Sequence, residues 1–140
     1  MTAAGDHADA LEFLGRNHRA VLATRRRDGS PQMSPVLAAI DDASRVVIST
    51  RETAMKTLNL RRDPRASLCV LNDHFFGEWH SLDGSVEILS LPEAMEPLID
   101  YYRRSAGEHP DWDDYRKAME RERRVLLRLT VERSGPATQG

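Results

Sequence analysis

The dipeptide Asp28-Gly29 lies between two runs that alternate in character, Ala20-Val21-Leu22-Ala23-Thr24 before it and Gln32 to Ile40 after it. Glycine accepts positive φ at little cost, so an Asp-Gly step flanked by strand-forming residues commits the chain to a tight β-hairpin. The acidic pair Asp41-Asp42 marks the next turn, and Arg45 to Ser49, rich in β-branched residues, reads as a third strand of a meander. Strands in such a meander hide their edges by closing, so a small barrel is the expected geometric solution.

The rest of the chain fits helices into that β framework. Ala10, Leu11, Phe13 and Leu14 fall near helical spacing and predict a short amphipathic helix over Asp9 to Asn17, covering one end of the sheet. Thr53 is placed to cap a second short helix carrying Met55, Lys56, Asn59 and Leu60, which must end before Pro64. Arg65 to Leu71 and Glu78 to Leu89 predict a long hairpin around Asp73 to Gly77, with Gly84 as a bulge. Helices are expected over Pro92 to Ala106 and Asp111 to Glu122, then a last strand over Arg124 to Val131. The small polar residues Ser134 to Gly140 read as a frayed tail. The expectation is one mainly β domain with inserted helices over 1–140.

Apolar residues make up 40% and charged residues 30% of the 140, with no apolar run long enough to span a bilayer, so a membrane protein is not expected. Met1 to Asp9 is small and acidic, unlike a secretory leader, and a cytoplasmic setting is expected. The single cysteine, Cys69, sits in an apolar run and reads as a small buried hydrophobe. Net charge is −2, and no aromatic residues interleave with the arginine clusters 25–27 and 61–62, which speaks against nucleic acid as a partner.

Self-sufficient catalytic sets are missing from the sequence. His7, His18, His74, His80 and His109 are scattered without zinc-site spacing, and there is no nucleophile elbow, Walker loop or dinucleotide glycine fingerprint. No metal site is expected, and no catalytic residue is assigned. What stands out is an anion-site pattern: Ser49-Thr50 at a strand end, then Thr53 and Lys56 at a helix start. Lysine occurs only twice, at Lys56 and Lys117. Hydroxyls, the amides of a first helical turn and one ammonium suit a phosphate ester. On spacing alone, an ordinary cap at Thr53 beside a solvated Lys56 is an equal reading.

The segments Ala23-Thr24, Asp28 to Val36, Lys56 to Ala66 and Gly107 to Arg116 (GEHPDWDDYR) closely resemble the pyridoxamine phosphate oxidase-like family. Within it they are most similar to the actinobacterial branch that uses coenzyme F420, a 5-deazaflavin. The resemblance implies a split β-barrel of the FMN-binding type, a homodimer with two shared cofactor sites, and transfer of a hydride to an electron-poor small-molecule substrate. Carried over by position, Ser34, Pro35 and Val36 would border the ring system. Ser49, Thr50, Met55 and Lys56 would hold ribityl hydroxyls and phosphate, with Asn59 and Arg61 supporting that cradle. Trp79 matches a position where an aromatic residue of the second subunit approaches the cofactor; plain packing of its ring is the alternative.

Two departures from the family pattern bear on this. Ala54 stands where close relatives tend to carry an arginine, leaving the charge to Lys56 or Arg51, and Glu132 to Gly140 lacks the arginine-and-proline ending of true pyridoxamine phosphate oxidases. FMN in place of the deazaflavin, a non-enzymatic flavin or deazaflavin carrier, and the haem-binding split-barrel relatives are the competing expectations. The scattered histidines offer the last of these little support. His80 is the best candidate proton donor beside Trp79, although strand alternation sends neighbouring side chains to opposite faces.

Overall fold

A computed structural model of the chain describes residues 7–74 and 76–139, the last four of them by backbone alone. Residues 1–6, which hold most of the stretch read for an address, Phe75 of the second hairpin loop and Gly140 lie outside the described residues. In chain order the elements are α1 (Ala8–Leu14), β1 (Arg19–Arg25), β2 (Pro31–Leu37), β3 (Ala39–Ile40), β4 (Val46–Arg51), α2 (Met55–Arg62), β5 (Arg65–Leu71), β6 (Glu78–Leu89), α3 (Met95–Ala106), α4 (Trp112–Arg121) and β7 (Arg124–Gln139). Among the described residues no helix is long and apolar enough to cross a membrane.

The Asp28-Gly29 hairpin forms as expected. Gly29 takes φ +86°, and Asp28 Oδ1 accepts from the amide and hydroxyl of Ser30 at 2.9 and 2.6 Å, closing the turn. Beyond this hairpin the sheet departs from a simple meander. Its strand order is β2-β1-β5-β6-β7-β4-β3, so the span expected as one strand, Gln32 to Ile40, splits into β2 at one edge and β3 at the other. Ala38 alone joins them, fully buried, with its amide donating to His18 O at 2.8 Å. One residue spans only about 3.5 Å, so the two sheet edges must meet and the seven antiparallel strands must curl round on themselves. The expected split β-barrel is therefore the consequence of a single link across its seam.

The barrel interior is filled by alternate residues of the strands, among them Leu22, Leu68, Leu82, Leu127 and Leu129, and α1 plugs one end with Leu11, Phe13 and Leu14. A second apolar cluster lies outside the barrel, where Leu98, Ile99 and Tyr101 of α3 and Tyr115 and Met119 of α4 pack over Ala39, Val47 and Leu126. This accounts for the consecutive burial of Val46, Val47 and Ile48, because β4 is covered on both faces.

Gly84 is the bulge the sequence predicted. The β6–β7 register shifts between Asp83 and Gly84, and a Cβ on Gly84 would collide with the carbonyl oxygen of Thr130. Three other expectations are corrected. Thr53 does not cap α2: Ala54 holds the N-cap position with no side-chain cap, and Thr57 ties the helix start down by donating to Arg51 O at 2.7 Å. Cys69 lies half-exposed on the outer face of β5, since Leu68 and Val70 take the inward positions, and partial burial pushes its thiol up, away from reactivity. The span from Ser134 is not a frayed tail: β7 continues to Gln139, pairing Ser81 with Gly135 and Glu78 with Gln139. The first half of the 12-residue β6 has β5 on one side only, and its other edge needs these backbone groups whatever their side chains.

Candidate functional site

Where β2 and β4 approach across the seam, α3 and α4 stand off the barrel and leave an open cleft of about 540 Å³. Pro35, Val36 and Leu37 of β2 form one side, Ser49 and Thr50 of β4 the floor, and Lys56 reaches in from the first turn of α2. Five of the ten residues singled out in the sequence thus share one cavity although they come from three separate elements. As the edge strand of the sheet, β2 has β1 on one side and no strand on the other, so its outer backbone groups have no ladder partner.

The charged residues lining the cleft are Lys56, Arg124, Asp114 and Glu122, and of the two cations only Arg124 is ion-paired. Lys56 is half-buried, and its ammonium is pushed below the ordinary lysine value first by burial and then by the nearby Arg124 guanidinium. Arg124, which also lines the cleft, is held by Glu122 at 2.8 Å, and the same carboxylate lies 3.6 Å from Arg51. Glu122 is held below the usual carboxylate range by its hydrogen bond from Arg124. Lys56 has no carboxylate within ion-pair distance among the described residues, so the site carries an unpaired, partly desolvated cation beside hydroxyls.

The other five singled-out residues lie outside the cleft lining. Asn59 is buried and structural: its amide donates to Thr24 Oγ1 at 3.1 Å and its oxygen accepts from Arg62 at 3.2 Å, pinning α2 to β1. Arg61 and Met55 are exposed on α2. Ser34 sits beside the cleft residues on β2, and its Oγ is a buried side-chain oxygen without a hydrogen-bond partner. Trp79 is half-buried near the start of β6, paired with Leu71 and Thr138. His80 points the other way, buried against Phe13 with ring centroids 4.8 Å apart and Nε2 2.8 Å from Glu78, which removes it from any site that Trp79 borders.

Sequence reasoning missed the opposite wall of the cleft, made by the helical region it left without chemistry. Tyr101, Tyr102, His109 and Tyr115 all line it. Tyr102 packs on His109 and Tyr115 at 5.1 Å each, and Trp112 closes the cluster from behind at 5.4 Å from Tyr115. Tyr101 donates its hydroxyl to Leu37 O at 2.8 Å, and Tyr115 donates to Leu98 O at 2.9 Å. Burial pushes the Tyr115 phenol up to about 12, so it stays neutral. A signal was present in Gly107-Glu108-His109-Pro110-Asp111-Trp112, a density of cyclic side chains in a loop. Only the tertiary fold shows that this loop faces β2.

The chain is a curled seven-strand antiparallel sheet with a cleft at its seam, and residues 7–135 match the family model described as pyridoxamine 5'-phosphate oxidase. The chain belongs to that family. It is 29% identical over 127 residues to the F420H(2)-dependent biliverdin reductase of Mycobacterium tuberculosis (strain CDC 1551 / Oshkosh), covering 89% of this chain and 83% of that protein. Its fold matches the conserved hypothetical protein Rv2991 of Mycobacterium tuberculosis with a TM-score of 0.74 and 27% identity, over 91% of this chain and 81% of that one. A solved F420 reductase matches with a TM-score of 0.69 at 21% identity, over 89% and 94% of the two chains, a likeness of fold.

Proposed function

We propose that this protein is a reductase that uses coenzyme F420 to transfer a hydride to an electron-poor, conjugated small molecule. The observation that carries the proposal is the unpaired Lys56 ammonium, sharing with Arg124, Ser49 and Thr50 a cleft whose other side is a free strand edge. That donor set fits a ribityl phosphate joined to a flat heterocycle, and the similarity to a reductase that uses F420H(2) favours a deazaflavin as that heterocycle.

In this reading Lys56 and Arg124 neutralise the phosphate, Ser49 and Thr50 bond the ribityl chain, and Pro35 and Val36 lie against the ring. A reduced deazaflavin would supply a hydride and reacts poorly with oxygen, so this reading asks no catalytic triad or metal set of the chain itself. The protein's part is binding, orientation and exclusion of water. Ser34 would border the ring beside Pro35 and Val36, Met55 would join Lys56 at the phosphate, and Asn59 and Arg61 would support the cradle from α2, Asn59 through its bond to β1.

The cleft is open on one side, and the apolar residues exposed nearby are Met33 and Leu37 on β2 and Met55 and Leu58 on α2. A second copy of the chain covering them would complete the site, with its Trp79 as the approaching aromatic.

Parallel titration with coenzyme F420 and FMN, read by fluorescence, tests the proposal. F420 binding more tightly, with oxidation of the reduced form by activated enones or quinones, is the expected result. Equal or tighter FMN binding with oxidase activity in air would replace it with the flavin reading. Tight binding without turnover would make the protein a carrier.

A further inference from the structure

Facing the cleft from the side opposite Lys56's strand floor is a histidine whose hydrogen bonding fixes what it can do. The α3–α4 loop begins at Gly107, which takes φ +87°. The loop is then clamped: Glu108 accepts from Trp112 Nε1 at 3.1 Å and pairs with Arg103 at 3.0 Å, and Asp111 caps α4 by accepting from Asp114 N at 3.2 Å. Within that clamp the amide of Asp111 donates to His109 Nδ1 at 2.9 Å. A ring nitrogen that accepts a hydrogen bond carries no proton, so the ring proton of neutral His109 must sit on Nε2.

Among the described residues nothing accepts a hydrogen bond from that Nε2–H. The ring lines the cleft and is held by aromatic neighbours, with Tyr102, Tyr115 and Trp112 centroids at 5.1, 5.5 and 5.6 Å. Fixed tautomer, fixed ring plane and an unused donor in a partly dry cleft are the properties of a preorganised oxyanion donor. A neutral imidazole in that role polarises a carbonyl without giving up its proton.

We infer that His109 Nε2–H is the hydrogen-bond donor that receives the carbonyl oxygen of a conjugated carbonyl substrate, so that the cleft selects flat enones or quinones. The inference rests on the reductase reading for its chemistry. Hydride from the reduced deazaflavin forms a C–H bond at the β-carbon, the C=C pair shifts to the α-carbon–carbonyl-carbon bond, and the C=O π pair moves onto oxygen. His109 stabilises the resulting enolate oxygen, and a proton from water at the α-carbon completes the addition of two hydrogens. The cofactor is oxidised by two electrons and the substrate reduced by two. Tyr102, packed at a tilt on the His109 ring, gives the conjugated system an aromatic neighbour to pack on.

The test uses the full-length protein, with cyclohex-2-enone as probe. His109→Phe keeps a ring in the aromatic cluster but has no donor, and His109→Gln keeps an N–H. Long-range ¹H–¹⁵N spectra of the histidine-labelled protein at neutral pH should show a bare Nδ1 and a protonated Nε2 at His109; an Nδ1–H tautomer would overturn the inference. Raman difference spectra of the bound probe should show a lowered carbonyl stretch in the wild type that His109→Phe abolishes. An equal stretch in both, or no saturable binding of the probe, also overturns it. With F420 loaded, kcat in His109→Phe should fall roughly a hundredfold, the low end of what oxyanion donors contribute. Cofactor affinity should stay unchanged, and His109→Gln should recover part of the rate. A wild type that binds no F420 yet gives the expected spectra would sink the reductase reading and leave the carbonyl site standing.

Discussion

Lys56→Ala separates a binding role from a structural one because the two predict opposite changes in the cofactor-free protein. The Lys56 ammonium is pushed down by burial and by Arg124, so carrying its charge costs the folded state something at neutral pH. For a lysine lowered in the folded state, that penalty is present while both states are protonated and is relieved as pH rises through the folded value. Removing the side chain should therefore leave the melting temperature of the free protein unchanged or slightly higher. Binding should respond in the other direction. A charge-assisted phosphate contact is worth about 1.5–3 kcal/mol, or roughly ten- to a hundredfold in affinity. At a cofactor concentration of about one hundred times the wild-type Kd, the ligand stabilises the wild type by about 2.7 kcal/mol; a hundredfold weaker variant would keep only about 0.4 kcal/mol of that. Thermal shift with and without F420, alongside fluorescence titration, reads both quantities. Phosphate binding also draws Lys56 back toward its ordinary value, so wild-type affinity should decline as pH rises past the lowered one, and this alkaline limb should vanish in the variant. Lys117→Ala, on the exposed face of α4, is the control. Unchanged affinity in Lys56→Ala at an unchanged melting temperature would refute the phosphate assignment.

Two further outcomes test the fold around the cleft. Gly84→Ala, whose new methyl would meet the Thr130 carbonyl, should cost about 1–3 kcal/mol in a denaturant melt, whereas Gly135→Ala, with nothing within 4 Å, should cost far less; equal effects would mean that the bulge does not need glycine. Light scattering at micromolar concentration should report a dimer that Met33→Glu with Leu58→Glu, both at exposed apolar positions, converts to monomer with loss of cofactor affinity; a wild-type monomer that binds cofactor fully would remove the shared-site reading.

Local signals carried most of the secondary structure. Asp28-Gly29 was readable because its turn demands a positive φ, and Gly84 because a bulge with close backbone approach leaves no room for a Cβ, and glycine meets either demand cheaply. Strand partners were not readable, since pairing depends on where the sheet closes. The link at Ala38 turns what looks like one long strand into the two opposite edges of the barrel. The Ser134 to Gly140 span misled because small polar residues read as solvent-exposed, while the backbone of its described part, to Gln139, pairs with the edge of β6. In the site, Lys56, Ser49 and Thr50 stood out through their types and spacing. The aromatic wall did not, because Tyr101, Tyr102 and Tyr115 fall at ordinary helical core positions, and nothing local tells a core tyrosine from one at a cavity's edge.

The location of the cleft follows from the same seam. With β3 only two residues long, β2 and β4 cannot form a full ladder across the closure, and carbonyls on that edge need other partners. Helix α3 provides them: Tyr101 donates to Leu37 O, and Arg104 donates to Ile40 O at 3.0 Å while also pairing with Asp42 and Asp100. The late helices are thus required first to satisfy the seam, and the aromatic rings that face the cleft are oriented by that requirement. Tyr101 and Tyr115 commit their hydroxyls to backbone carbonyls, so the wall they form is smooth and neutral. Positive charge in the cleft is left to Lys56 and Arg124 at the α2 end, and the free donor of His109 to the loop end. In the proposed reading the cofactor phosphate would lie at the α2 end of the cleft and the substrate carbonyl at the loop end, with the neutral tyrosine wall between them.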